Sequence, residues 1–546
     1  MEITTSWVKP PKAIGGLDHL AVQAPCINLY SRMLPGITNA TDRARYYSFY
    51  PWVVWALEKR GCLYGNNFVD LFRKSDCLFT LIAERHAKVA GGDRDDHAAA
   101  TVGSGNMAEP VSRVRDGHSV KLSDYACREG RNRYFKNKLG GLGQYYLGVF
   151  RELGIMTGDL QTGVKNIREV GGAIAESLDR CVDRELFLKT IDEDTVSAAR
   201  LDALHSFCPC VLTSSTYEHS KLSDMFFVKG QFFNQDALIR RRTLKMILSL
   251  ADNLAEFFSV AVDIEQFRGC TYSGALPNKT IWHLSDRLQK NRKQWAIYQR
   301  NEILSLAVQG IFYVILDAYH ELGELFQSID ELVRWFLETP EVEFVGSFFP
   351  LSDTVSSMKS TATSWIPVME DWSNDSHEVH MASQIEALCH REKSTGNRSA
   401  ILLVCLKVLI VLQTRLETKE GYGEFIFPPN FLQAYPINLQ TFNNHSKNTW
   451  DNLSIREWIG WLATSWGVST HLMVALRKLR GQSQSTFRIR PSDMGLEIIK
   501  VPEAVYTAPR FRQALRILKD MGALVRKDNV WVTSALGKQL MEAADE

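Results

Sequence analysis

Three side chains that can ligate a soft metal fall close together in His205-Ser-Phe-Cys208-Pro-Cys210. A structural zinc site takes four such ligands. No Cys-x-x-Cys pair completes this set, and Cys389-His390 stands too far away in the chain. The sequence therefore predicts buried thiols, with no metal site and no cofactor. His219-Ser-Lys221 opens the His-x-Lys-x4-Asp spacing used in phosphodiester cleavage, but Phe226 occupies the slot where the acid belongs and Asp224 falls too early. Arg200-Leu-Asp-Ala-Leu-His205 and Arg113-Val-Arg-Asp-Gly-His118 both have the Arg-x4-His spacing of some helical ribonucleases. With 13 histidines and abundant arginine, roughly one such match is expected by chance at background usage. Asp93-Arg-Asp95-Asp96-His97 fails as a calcium loop, because Ala98 stands where glycine is needed and Ser104 where glutamate is needed. There is no Gly-x4-Gly-Lys-Ser/Thr loop, and Gly140-Gly-Leu-Gly143 lacks the full dinucleotide spacing. The catalytic residues, if the chain has any, are not legible as a motif. A dispersed set of acids that converges only on folding stays open.

The elements that would carry such residues are mostly helices. Apolar residues return every three or four positions through Asn67 to Val89, Asp236 to Phe258, Asp286 to His320, Val379 to Glu392 and Ser399 to Glu417. Alternating strand patterns are few, and no internal repeat is found. The 546 residues correspond to roughly three or four domains. With 45% hydrophobic and 23% charged residues, the composition excludes collagen-like, low-complexity and largely disordered chains. Breaks at Gly91-Gly92, at Gly140 to Gly143, around Pro350 and across Gly421 to Asn444 give a map of four parts. These are an N-terminal helical region 1–165, a central helical body 166–420, a linker 421–453 and a C-terminal module 454–546. The fold class is mainly α and multi-domain.

Neither end of the compartment question points to a membrane. Met1 to Gly16 holds Lys9 and Lys12 but no apolar run of signal length. Ala400 to Leu412 is the most apolar stretch, is about 13 residues long and includes Lys407. A span needs about 20 residues, so this reads as a buried helix. Ten cysteines without a dense framework fit a reducing compartment. The expectation is a cytoplasmic protein.

The C-terminal module is the most legible part. Thr507 to Gly522 opens on an N-cap residue with proline in its first turn and ends on glycine. Phe511, Ala514, Leu515 and Leu518 form its stripe. Ala523-Leu-Val-Arg526 and Val530-Trp-Val-Thr533 follow as two alternating runs joined through Lys527-Asp528-Asn529, and a last helix starts near Ser534. This helix, hairpin, helix order resembles winged-helix domains over about the last 40 residues, or about 90 if Ser454 to Gly481 supplies earlier helices. Between His471 and Trp531 cations outnumber acids, in a chain whose net charge is +1, so the positive charge is segregated. Segregated positive charge is the footprint of phosphate binding. The resemblance implies a helix for a major groove and a wing for the backbone. Arg510, Arg512, Arg516 and Lys519 would serve the first, with Arg526 and Lys527 on the second. The alternative is that this face docks a protein partner. A second basic tract, Arg128 to Lys138, contributes Arg131, Arg133 and Lys136, with Tyr134 and Phe135 placed to stack bases. Arg240-Arg241-Arg242 and Lys290-Asn-Arg292-Lys293 lie on helices and read as solvated faces.

Leu34 to Trp55 is the most unusual string. A Pro-Gly turn leads to Thr41 as an expected N-cap, then Arg43, Arg45, Tyr46, Tyr47, Phe49 and Tyr50, and then Pro51, which should kink or break the helix. It reads as a core helix with arginines capped by aromatic rings; a cation–π nucleotide pocket is the other reading. The string resembles a segment of uncharacterised bacterial proteins encoded in phage-defence loci. That resemblance implies a role in nucleic-acid surveillance and transfers no catalytic residue. Together these readings predict a non-enzymatic nucleic-acid-binding or scaffold subunit of a bacterial antiviral defence or DNA-processing complex. Its partners would be DNA, with RNA as the second candidate, and a motor or nuclease protein. A helical metal-dependent nuclease and a protein-only scaffold are the alternatives.

Overall fold

The computed structural model describes residues 12–13, 18–62, 64–91, 93–159, 162–417, 429–479, 484–527 and 530–542. Most of Met1 to Gly16, the first part of the expected linker, Arg480 and the hairpin turn Asp528-Asn529 lie outside them. The protein is mainly α-helical, and among the described residues the strands pair two by two. It divides into two compact units, each assembled from separate stretches of chain: residues 1–30 with 265–507, and residues 31–264 with 508–546. This division differs from the expected boundaries at 165, 420 and 453. The breaks expected there were read from local composition, whereas the units are closed by contacts between segments far apart in sequence. Part of the expected linker is helical, at Pro429–Ala434 and Leu439–His445. The expected 454–546 module is shared between the two units at 507/508.

The unit of residues 1–30 and 265–507 is organised around the helix Asp286–Leu322. Thr395–Glu417, Glu378–Cys389 and the π-helical segment Leu462–Ser469 pack on it. Gly310 permits the close approach: a Cβ there would lie 2.5 Å from Cys405 Sγ and 2.8 Å from Ile385 Cγ2. Asp286–Leu322 and Thr395–Arg415 are long and apolar enough to cross a membrane, and 89% and 67% of their most apolar windows are buried within the protein. The helix that holds the Ala400 to Leu412 run is longer than the 13 residues expected, and its burial within the protein makes it a core helix. Buried Arg398 bonds Glu341 at 2.7 Å and Asp317 at 3.2 Å, so an ion network ties Thr395–Glu417 to Asp286–Leu322 and Pro340–Gly346. This charge sits in the core with partners on every side, the condition under which a buried ion persists.

The unit of residues 31–264 and 508–546 has the helix Tyr46–Lys59 at its centre. Its rings pack with Phe72, Phe79, Tyr146, Phe150, Phe187 and Phe207, and Tyr46 stacks on Tyr50 at 4.9 Å. The aromatic string is therefore core. Two local expectations are corrected here. Thr41 is not the cap, because its Oγ accepts the Thr38 N–H in a preceding turn and the helix begins at Tyr46. Pro51 does not end the helix, which runs on to Lys59 because burial on all sides holds it. Gly65–Ala90 packs beside this helix and ends on Gly91 at φ +67°. Near the C-terminus, Phe511–Asp520, the antiparallel pair Leu524–Lys527 and Val530–Thr533, and Ala535–Glu542 form the expected helix, hairpin, helix series. The helix starts three residues later than expected, with Arg510 and not Thr507 in the N-cap position. The Thr507 N–H and hydroxyl are taken by the Glu302 carboxylate, so they cannot cap it. Leu238–Phe258 lies under the hairpin, where Thr533 donates to the Leu248 carbonyl at 2.9 Å. Arg240 and Arg241 of that helix are buried, contrary to a solvated face. Arg240 donates to the carbonyls of Pro35, Met225 and Phe226.

Candidate functional site

The basic tract 128–138 folds as a loop pinned from beneath. Arg73, fully buried on Gly65–Ala90, donates to two carbonyls just before the tract, Ala126 at 2.6 Å and Cys127 at 2.8 Å, and to two within it, Phe135 at 2.9 Å and Asn137 at 2.6 Å. One guanidinium thus satisfies acceptors that would otherwise be orphaned near the core. Tyr134 points inward, beneath Arg73 at 4.8 Å, and donates to Asp76 at 2.8 Å. It cannot stack a base. Phe135, in edge contact with Tyr145 at 5.5 Å, is the ring of the tract that stays partly exposed. Arg131 and Lys136 are exposed and Arg133 is half-buried. None of the three forms an ion pair with a described residue. Arg128 is paired with Asp70 at 3.0 Å.

The helix Phe511–Asp520 divides its cations differently from the sequence reading. Arg516 is paired with Asp42 at 3.5 Å and with Asp95 at 2.9 Å. Arg510 adopts a left-handed conformation at φ +62° and donates to the Leu34 carbonyl at 3.2 Å. Lys519 lies 4.0 Å over the Trp531 ring, and burial pushes its ammonium below the ordinary lysine value. Arg512 alone of the four is exposed and forms no ion pair with a described residue. A recognition helix presenting all four cations to a groove is therefore not what this helix offers. Its polar face is spent largely on docking it to the unit. On the hairpin, Arg526 and Lys527 are exposed, in register with Trp531 and Val530. The exposed cations are thus Arg512 in the first turn of the helix, Arg526 and Lys527 on the hairpin, and Arg131 and Lys136 on the pinned loop, where Arg133 is half-buried. The positive segment 471–531 is also divided, because its part up to Lys500 belongs to the other unit. There Arg490 pairs with Glu497 at 3.0 Å and Arg488 is buried.

A second grouping appears where the sequence predicted no metal site. His86, His97, Cys208 and Cys210 bring one ligand atom each to within 4.8 Å of one another. His97 Nδ1 lies 3.4 Å from Cys208 Sγ, and His86 Nδ1 lies 3.3 Å from Cys210 Sγ. His205, which the sequence placed beside the two cysteines as a possible third donor, is outside the set and stands beside His86 at 5.7 Å between ring centres. Burial holds both imidazoles below the ordinary histidine value, so they are neutral near pH 7. Burial pushes the Cys208 thiol up, while the neighbouring Cys208 and the Arg45 charge hold Cys210 down. Each ligand is positioned by an element with its own reason to be there. His86 rides the last turns of Gly65–Ala90, and His97 closes the short turn Arg94–His97, which Asp93 caps. Arg94 pairs with buried Glu84, clamping that turn to the helix. Arg43, fully buried, donates to the carbonyls of Asp95, Asp96 and Ala99 and is paired with Asp520 at 3.0 Å. Arg45 donates to the Cys208 carbonyl at 2.8 Å. The two arginines of the aromatic string thus fix the backbone on both sides of the cluster.

His86 and His97 escaped the sequence reading because each is remote from the cysteines. A weak signal exists, two histidines flanking a Gly-Gly break together with Cys-Pro-Cys, but only folding brings the pairs together. No family model, curated protein or solved structure matches the chain.

Proposed function

We propose that this protein is a cytoplasmic, non-catalytic nucleic-acid-binding subunit. It would contact DNA through the pinned loop and the C-terminal hairpin, while a motor or nuclease partner supplies the chemistry. The observation that carries this reading is the Arg131–Lys136 loop. Arg73 holds its backbone at Phe135 and on either side, Arg131 and Lys136 are exposed, Arg133 is half-buried, and none of the three is ion-paired with a described residue. Cations displayed on a rigid backbone lose little entropy on meeting phosphates, and each contact releases condensed counterions. The hairpin cations Arg526 and Lys527, with Arg512, provide a second set on the same unit. The resemblance of Leu34 to Trp55 to proteins of phage-defence loci supports placing the subunit in an antiviral or DNA-processing assembly.

The test is anisotropy of a fluorescent duplex titrated with the full chain. Arg131→Ala/Arg133→Ala/Lys136→Ala and Arg512→Ala/Arg526→Ala/Lys527→Ala are each expected to weaken binding by about tenfold or more, about 1.4 kcal/mol. Neither set touches the core. Duplex binding that both triple variants retain in full would overturn the reading. Preference for a single-stranded RNA probe would replace DNA with RNA.

A further inference from the structure

We propose that His86, His97, Cys208 and Cys210 form a zinc-binding centre. Its role would be structural: it would staple the Arg94–His97 turn to the Gly65–Ala90 helix and to the Cys-Pro-Cys segment. The argument begins with donor chemistry. Two thiols and two imidazoles are the soft and borderline donors that select zinc among the common divalent ions. The geometry then agrees. With Zn–S near 2.3 Å and Zn–N near 2.0–2.1 Å, adjacent ligands of a tetrahedral site stand about 3.3–3.8 Å apart. The two sulfur–nitrogen separations are 3.4 Å and 3.3 Å, and all four atoms lie within 4.8 Å of one another.

The surroundings match as well. Cys208 and His97 are buried, while Cys210 and His86 are partly exposed, which gives the ion a path of entry. Ala83, Ala87, Ala98 and Val211 make an apolar floor. The guanidinium groups of Arg43 and Arg45 hold the carbonyls next to the ligands. Supporting groups of this kind orient a first coordination sphere. Four protein ligands leave no open position for water or substrate, which is the pattern of a structural centre and not of a hydrolytic one. Arg43 and Arg516 join the same turn to Asp520 and the C-terminal helix. The metal would therefore order the surface on which that helix docks.

The experiment uses full-length protein purified with reductant and without chelator. Elemental analysis is expected to give about one zinc per chain. Cobalt substitution should give the visible bands of a tetrahedral ion with thiolate-to-cobalt charge transfer. In Cys210→Ser and His86→Ala, which change the two half-exposed ligands, metal affinity should fall by more than the 10–100-fold typical of losing an outer partner. Their cobalt spectra should also change, with the charge-transfer band reduced in Cys210→Ser. If those variants fail to fold, the cobalt spectrum of the wild type still decides. Substoichiometric zinc together with an octahedral or absent cobalt spectrum would overturn the centre, as would a Cys208–Cys210 disulfide in the reduced preparation.

Discussion

At the scale of single residues, the buried charges of the 31–264 and 508–546 unit do more to hold chain segments together than to face solvent. Asp76 is the clearest case. It is fully buried and accepts bonds from the hydroxyls of Tyr50 at 2.9 Å and Tyr134 at 2.8 Å and from the Gly141 N–H at 3.0 Å. Burial pushes its carboxyl up to about 6 from an ordinary 3.8. The folded state therefore keeps a proton that the unfolded chain has already lost between about pH 4 and 6. Across that window its contribution to stability falls as pH rises, by about 3 kcal/mol in total. Denaturant titrations should show the wild type losing stability relative to Asp76→Asn from pH 4 to 6, with no further loss above. A difference that stays constant over that range contradicts the assignment. Asp76→Ala, which leaves three donors unpaired, should cost about 3–5 kcal/mol near pH 4 and correspondingly less above pH 6, where the wild type has itself lost stability. Neither the burial nor the partners of Asp76 could be read from its neighbours in sequence, since Tyr134 and Gly141 stand 58 and 65 residues further along the chain.

Among elements, legibility followed the range of the forces involved. The helix, hairpin, helix at the C-terminus and the core helix Thr395–Glu417 were visible because apolar periodicity, turn residues and capping are local. The face that Phe511–Asp520 presents was not visible. Its cation Arg516 and its acid Asp520 are matched by Asp42, Asp95 and Arg43, more than four hundred residues earlier. A contact 205 residues away hid the start of that helix, where Thr507 serves Glu302 instead of capping. Arg43 is the joint between the Arg94–His97 turn and the C-terminal helix. Arg43→Lys keeps the charge but cannot reach three carbonyls and a carboxylate at once. Amide exchange is expected to speed up in residues 93–99 and 511–520 together, with little change in the Asp286–Leu322 helix. Acceleration confined to one of the two segments would show that they are not coupled through this side chain.

For the molecule as a whole, the near-neutral net charge conceals an unequal use of cations. Some arginines, such as Arg43, Arg45, Arg73, Arg240 and Arg398, are structural and buried, and they bond carbonyls or acids inside their own unit. Others stay outside, on the pinned loop and the hairpin. Composition reports only their sum, so the sequence pointed to a charged end but could not sort its members. The central claim concerns the outward group, and the slope of duplex affinity against salt concentration tests it most directly. Log–log plots for the full chain should be steep, and the slope should shrink by about 0.9 for each phosphate-contacting cation removed from the 131–136 loop or the hairpin. Arg43→Lys, a change among the buried set, should leave the slope nearly unaltered. A flat salt dependence in the wild type, or one that the outward cations do not influence, would contradict the account.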